Sequence, residues 1–234
     1  MTLQKKLQCD LIIEFLTGLQ PKFPLPAGVE IMNPYTDEPG RVLASTFYKK
    51  FYNDDCKRIF IFGINPGRWG GGITGVPFTD PIKLEQQCGI PNTLSRKPEL
   101  SADFIYQMIE TYGGPGLFYK HYFITAVCPL GFTMQNKNLN YYDDKVLMSN
   151  ASGFISDCIE KQIQALGTFD TCVCLGEGTN YKFLTQLNER HKYFKAIIPL
   201  AHPRFIMQYK RKSLGKYIED YVSKLKMLRA SVTH

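Results

Sequence analysis

No two cysteines in this 234-residue chain stand in C-x-x-C spacing, and the seven that occur are odd in number and irregularly placed. That argues against a zinc site, a redox dithiol or an iron–sulfur cluster, and no metal is expected; no other cofactor is expected either. Cys172 and Cys174 flank Val173 in an apolar run, and on a strand they would point the same way, into a core. Long hydrophobic runs are missing too: Ile197 to Ala201 is typical of the longest, far short of a membrane span, and no membrane partner is expected. After Lys5 and Lys6 the apolar pattern is broken by Asp10 and Glu14, which reads as an amphipathic helix rather than a signal peptide. A cytoplasmic protein is the resulting expectation, nucleoid-associated if bacterial. Neither G-x-x-x-x-G-K-[ST] nor G-x-G-x-x-G occurs, and "GEG" at 176–178 is too short to weigh, so a nucleotide-cradling loop has little support. Internal repeats and low-complexity segments are also missing.

What remains has an ordinary globular composition, 44% hydrophobic and 21% charged, and reads as a single domain over 1–234. The net charge of +7 is unevenly placed. Between Arg204 and Arg229 eight Lys or Arg stand against Glu219 and Asp220, while the rest of the chain is nearly balanced. A basic block beside a candidate site suits a polyanionic partner, although on charge alone a solvated helix face is the commoner explanation.

Four short apolar runs rich in β-branched or aromatic residues read as buried strands: Arg58 to Ile64, Tyr122 to Val127, Thr171 to Leu175 and Ala196 to Leu200. Helical spacing links Leu147, Ala151, Phe154, Ile155, Cys158, Ile159 and Leu166, and again Leu214, Tyr217, Ile218, Tyr221, Val222, Leu225 and Leu228. A further helix is expected from about Ala102 to Tyr112, stopped by Gly113-Gly114-Pro115. Strands alternating with helices imply an α/β fold of three layers, α/β/α, with a central four-stranded parallel sheet. The proline-rich segment from Lys22 to Pro39 reads as an irregular arm.

In such folds ligands bind beyond the carboxyl ends of the strands. His202 is the one histidine immediately after an expected strand; His121 precedes one, His191 sits in a charged helix end and His234 is terminal. A lone histidine is more often structural than catalytic, but this position favours a site, and Pro203 holds its backbone extended. Asn65 ends the first strand. An amide is no base at neutral pH but can orient a water. Asn with His, and no evident carboxylate, suits a reaction whose leaving group departs early and needs its negative charge stabilised. Glu177 is read as a helix-start residue.

Asn65 lies in "GINPGRWGGGITGVPF", with six glycines between Gly63 and Gly75. This stretch resembles the first motif of the uracil-DNA glycosylase superfamily in its single-strand-selective monofunctional (SMUG-type) branch, G-M-N-P-G-P-[FW]-G-M-A-Q-T-G-V-P-F. "VEIMNPYTDEP", "CPLGF" at 128–132 and "AHPR" at 201–204 resemble that family's entry segment, its C-P-L turn and its H-P-S-P-R motif. The resemblance runs from Val29 to the C-terminal helix. It implies a uracil-DNA-glycosylase-like fold and a monomeric, monofunctional enzyme of base excision repair. Its partner would be DNA carrying deaminated bases, and its activity would survive chelators. By the resemblance, Asn65 holds the attacking water and His202 stabilises the departing base. Phe78 stacks on that base, and Gly63, Ile64 and the glycine loop form its backbone wall. The loop after His202 enters the helix and holds the gap open, its Arg204, Phe205, Met207, Gln208 and Tyr209 mixing wedge-like apolar groups with a cation, and Lys210, Arg211 and Lys212 meet phosphates.

The departures from the motif carry expectations of their own. Ala126 stands where the family has a base-reading asparagine, and Gly71 where it often has methionine. Together they imply a roomier pocket admitting uracil and larger bases such as xanthine. Thr125, Asn136 and Asn138 are candidates to replace the missing amide. A non-catalytic binder of damaged or single-stranded DNA and a hydrolase of small nucleotides remain alternatives.

Overall fold

The computed structural model describes residues 6–232; Lys5 and His234 lie outside them. The chain begins with α1 (Gln8–Thr17), β1 (Val29–Met32) and α2 (Gly40–Phe51), and then β2 (Ile59–Gly63) leads into the glycine loop. Four helices follow, α3 (Gly71–Thr74), α4 (Pro81–Gln86), α5 (Leu100–Tyr112) and α6 (Pro115–His121), before β3 (Tyr122–Ala126), β4 (Gly131–Met134) and β5 (Lys137–Leu139). The second half alternates: α7 (Lys145–Leu166), β6 (Thr171–Leu175), α8 (Thr179–His191), β7 (Ala196–Leu200), α9 (Pro203–Tyr209) and α10 (Leu214–Ser231).

Strands β2, β3, β6 and β7 form a four-stranded parallel sheet in the order β3-β2-β6-β7. Every residue of β2 and β3 is buried, so successive side chains are covered on opposite faces and helices must lie on both. This is the three-layer α/β arrangement expected from the apolar runs, with β2 and β3 slightly shorter than those runs. Arg58 precedes β2 rather than opening it. Its buried guanidinium is paired with Asp54 at 2.8 Å and donates to the Tyr119 carbonyl, which anchors the strand entrance.

Local chemistry sets the boundaries of the helices. Asp80 accepts the Lys83 N–H at 2.8 Å with Pro81 at the first helical position, and Asp144 accepts the Leu147 N–H in the same way. Helix α5 ends at Gly113, as the sequence indicates, and α7 at Gly167 with φ 62°. Helix α7 buries Leu147, Ala151, Ile155, Ile159 and Leu166, and α10 buries Ile218, Tyr221, Leu225 and Leu228. Cys172 and Cys174 are fully buried, as expected of a strand facing the core.

Two segments differ from the sequence reading. The Lys22–Pro39 arm contains β1, which pairs antiparallel with β4, and β4 pairs with β5 to complete a small second sheet. The hairpin between β4 and β5 turns through Gln135 and Asn136, both at positive φ, a conformation Asn tolerates better than most residues. The residues after His202 form a helix, α9, and not a loop. His202 caps it, Nδ1 accepting the Arg204 N–H at 3.1 Å, and Pro203 occupies its first turn.

Candidate active site

The carboxyl ends of β2, β3, β6 and β7 open onto a cleft of about 450 Å³. Asn65, His202, Gly63, Ile64, Phe78 and Ala126 all line it, together with Arg204, Phe205, Gln208 and Tyr209 of α9. Residues far apart in sequence meet there because parallel strands place all four C-terminal ends on one edge.

Asn65 leaves β2 with its side chain held at both ends. Nδ2 donates to the Leu139 carbonyl at 3.2 Å, and Oδ1 accepts the Tyr141 N–H at 3.0 Å. The exit of β5 thus fixes which way the amide points and leaves one Oδ1 lone pair for a water. The small antiparallel sheet is therefore what orients Asn65.

His202 is pushed down to about 4, mainly by burial and further by the Arg204 guanidinium. It is neutral at physiological pH. Because Nδ1 accepts from the Arg204 N–H, the ring proton is on Nε2, which makes that atom a donor. Its ring lies 6.0 Å from that of Phe78, centroid to centroid, at 48°.

Phe78 takes φ 53°, a left-handed conformation uncommon for a non-glycine residue. Two buried threonines hold this turn: Thr74 Oγ1 donates to the Thr79 carbonyl at 2.7 Å, and the Thr79 N–H donates to Val76 O at 3.2 Å. Gly63 has no Cβ, and the Phe78 ring fills that space. The glycine-rich stretch is explained there by side-chain packing as much as by backbone approach.

Several expected residues lie elsewhere. Gly71 does not line the cleft. It opens α3, and a Cβ on it would meet the Val76 carbonyl at 3.1 Å and Pro66 at 3.4 Å, so it closes the loop on itself and does not widen the pocket. Met207 is 5% exposed and packs under α9 into the core, which removes it from the set of wedge residues. Phe205 and Tyr209 are exposed on the same helix, with rings 5.5 Å apart. Lys210, Arg211 and Lys212 are exposed beyond the end of α9 and outside the cleft.

Ala126 is a wall of the cleft, and no amide extends from it. Of the candidates to replace one, Thr125 is turned into the core, donating to Gln162 Oε1 at 2.6 Å, and Asn136 is in the hairpin turn. Asn138 does reach the cleft, its Oδ1 accepting the Arg68 N–H at 3.0 Å. Glu177 lies before α8, ahead of its cap Gly178, exposed at the cleft rim.

Three cleft residues had no signal in the sequence. Asn180 of α8 is 2% exposed on the cleft floor; its Nδ2 donates to the Gly63 carbonyl at 3.3 Å and its Oδ1 accepts from the Tyr141 hydroxyl at 3.0 Å. Asn140 follows β5 and reaches the cleft from there. Glu99 precedes α5, and burial pushes its carboxyl up to about 7, with the Asp80 carboxylate adding to the rise and Arg204 opposing it. Among the described residues no group of three His, Cys, Asp or Glu is placed to hold a metal ion.

The family profile described as the uracil DNA glycosylase superfamily matches residues 49–226, most of the chain. The chain is 29% identical over 171 residues to the single-strand selective monofunctional uracil-DNA glycosylase of Rattus norvegicus, covering 63% of this chain and 59% of the rat protein. It is 31% identical over 132 residues to the Mus musculus protein of that description, covering 48% of this chain and 45% of the mouse protein. The chain thus spans about half the length of these two curated relatives. The crystal structure of wild-type Pedobacter heparinus SMUG2 superimposes with a TM-score of 0.91 at 45% identity, covering 95% of this chain and 98% of that one.

Proposed function

Because the chain belongs to the uracil DNA glycosylase superfamily, we propose that it is a monofunctional DNA glycosylase that hydrolyses the bond between uracil and deoxyribose and leaves an abasic site. The observation that carries this reading is one cleft holding an amide locked at both ends, Asn65, and a neutral imidazole with its donor nitrogen free, His202.

The chemistry follows from those two groups. A uracil inside a duplex is out of reach, so the nucleotide must first leave the stack and enter the cleft. Phe78 offers its ring to the base. As the glycosidic bond lengthens, negative charge collects on the base, and Nε2–H of His202 donates to its O2 edge. A neutral donor fits this role, because burial has already removed the ring's second proton and no ion has to be reorganised. Asn65 offers its remaining Oδ1 lone pair to a water facing the sugar carbon. Arg204, Phe205, Gln208 and Tyr209 stand at the mouth of the cleft where DNA would enter, and Lys210, Arg211 and Lys212 lie just beyond as phosphate contacts.

We extend the substrate range to xanthine. With Gly71 outside the cleft, this extension rests on Ala126, which presents no amide to discriminate one base edge from another, and on a volume within the usual range for small-ligand pockets. The test is base release from single- and double-stranded oligonucleotides carrying uracil, xanthine, hypoxanthine or mismatched thymine. Abasic product from deoxyuridine supports the glycosylase reading, and intact deoxyuridine DNA after alkali treatment overturns it. Tight, salt-sensitive binding without product would instead favour a non-catalytic binder. Release of xanthine no faster than background rejects the wider range.

A further inference from the structure

Two carboxylates line the cleft, Glu177 at its exposed rim and Glu99 against the glycine loop. Glu99 occupies the cap position of α5, but its side chain does not cap the helix. It turns onto the loop instead: a Cβ on Gly67 or on Gly70 would overlap its carboxyl oxygens. Its main chain is fixed, the N–H donating to Asp80 Oδ2 at 2.9 Å, while Asp80 Oδ1 caps α4. Neither carboxyl oxygen of Glu99 accepts a hydrogen bond from another described residue, so its acceptors are unused where the side chain lines the cleft.

The segment Gly63–Gly70 therefore has two differently furnished ends. Gly63 lies under the ring of Phe78, Gly67 and Gly70 lie under Glu99, and Asn65 stands between. Asn138 Nδ2 comes to the same side of Gly67, 3.4 Å from the position a Cβ would take. The aromatic end suits a base, and the carboxyl end lies on the other side of the residue assigned to hold water.

We infer that Glu99 is a further catalytic residue, the carboxylate that takes a proton from the water held by Asn65 as that water attacks the sugar carbon. This rests on the glycosylase reading. The bond from water oxygen to C1′ forms as the C1′–N bond breaks, with the bonding pair leaving on the base. The water proton passes to Glu99 and then to solvent, and the released base anion takes a proton from solvent. Asn65 cannot receive that proton, because an amide is not basic near neutrality, and Nδ1 of His202 is already engaged by the Arg204 N–H.

The electrostatic setting agrees. Burial and Asp80 raise the Glu99 carboxyl to about 7, against the opposing pull of Arg204, and a base poised near working pH is the efficient one. The other charged groups nearby are accounted for. Arg68 and Lys97 lie over the Trp69 ring, Lys83 pairs with Asp103 at 2.8 Å, and His202 is neutral wherever Glu99 titrates.

The experiment is single-turnover release of uracil between pH 5.5 and 9 by the native protein, Glu99→Gln and Asp80→Asn. The native rate is expected to rise with pH and level off, with a midpoint near 7. Glu99→Gln should lose about a hundredfold at pH 8 and lose the rise as well, consistent with the usual size of base catalysis. Asp80→Asn removes the neighbouring charge and should move the midpoint to lower pH; it also tests the idea if Glu99→Gln folds poorly. An unchanged profile in Glu99→Gln, an unmoved midpoint in Asp80→Asn, or a native rate that falls above pH 7 would each overturn the inference while leaving the glycosylase reading intact. No uracil release by the native protein at any pH would overturn both.

Discussion

The ring of Phe78 occupies the space that a side chain on Gly63 would need: a Cβ at position 63 would sit 2.6 Å from Cε2 and 2.8 Å from Cζ of that ring. Gly63 ends β2 and Phe78 follows α3, so one missing methyl group sets the height of the aromatic wall over the strand end. Gly63→Ala should displace the ring and slow uracil release by about tenfold or more, the usual result when a reacting group is misplaced by a fraction of an ångström. Melting temperature and single-turnover rate measured together check this; a native-like rate in a folded Gly63→Ala protein would show that the ring has no part in the chemistry.

Asn65→Ala and His202→Ala should each slow the chemical step by more than about tenfold, in keeping with single electrostatic contributions in active sites. Asn65→Ala also removes the bonds to Leu139 and Tyr141 and should lower stability as well, so the rate must be taken well below its melting temperature. Native-like activity in both variants would place the site elsewhere.

Stability against pH separates two half-buried cleft groups with opposite signs. His202 falls from 6.5 to about 4 on folding, so the unfolded chain binds the extra proton between those values and stability is lost as pH drops from 6.5 to 4. Glu99 rises from 4.5 to about 7, so the folded protein binds the extra proton and stability is lost as pH climbs from 4.5 to 7. Between pH 4.5 and 6.5 the two largely cancel, each limited to about 1.4 kcal/mol per pH unit. Relative to the native protein over that window, melting temperature should climb more steeply with pH in Glu99→Gln and less steeply, or fall, in His202→Asn. Parallel curves for all three proteins would refute the opposed shifts.

Helix α9 offers a test of inside against outside within a single short element. Met207→Ala, in the core, should cost about 2–5 kcal/mol of stability. Phe205→Ala and Tyr209→Ala, on the exposed face, should leave the melting temperature nearly unchanged and weaken binding to uracil-containing DNA. Denaturant unfolding beside a DNA titration reads both; a large stability loss from Tyr209→Ala would contradict its assignment to the outer face.

Charge reversal at Lys210, Arg211 and Lys212 should weaken DNA binding uniformly across sequences. It should also flatten the salt dependence by about 0.9 in log–log slope for each phosphate no longer neutralised. Binding isotherms at several salt concentrations measure it. An unchanged slope would favour a small-nucleotide substrate over a polymer.

The local pattern of the chain determined the central sheet. Ile59 to Gly63 and Tyr122 to Ala126 are almost wholly apolar, which suits a strand covered on both faces, and such strands carry their ligands at their carboxyl ends. Asn65 and His202 were legible for that reason, and the glycine motif tied them to a family. Tertiary structure alone decided the rest. Strand β5 has three residues and two of them are exposed, so it carries no periodic signal, yet it is what orients Asn65. Gly71 looked like a pocket residue from its place in the family motif and proved to be packed against Pro66 and Val76, because position in a motif does not say which way a loop folds back. Glu99 lies far beyond Asn65 along the chain, in a polar connection, and nothing local marks it. Its burial against Gly67 and Gly70, and the shift in its acidity, arise only when α5 is set beside the loop, since desolvation is a property of what surrounds a group in space and not of its neighbours along the chain.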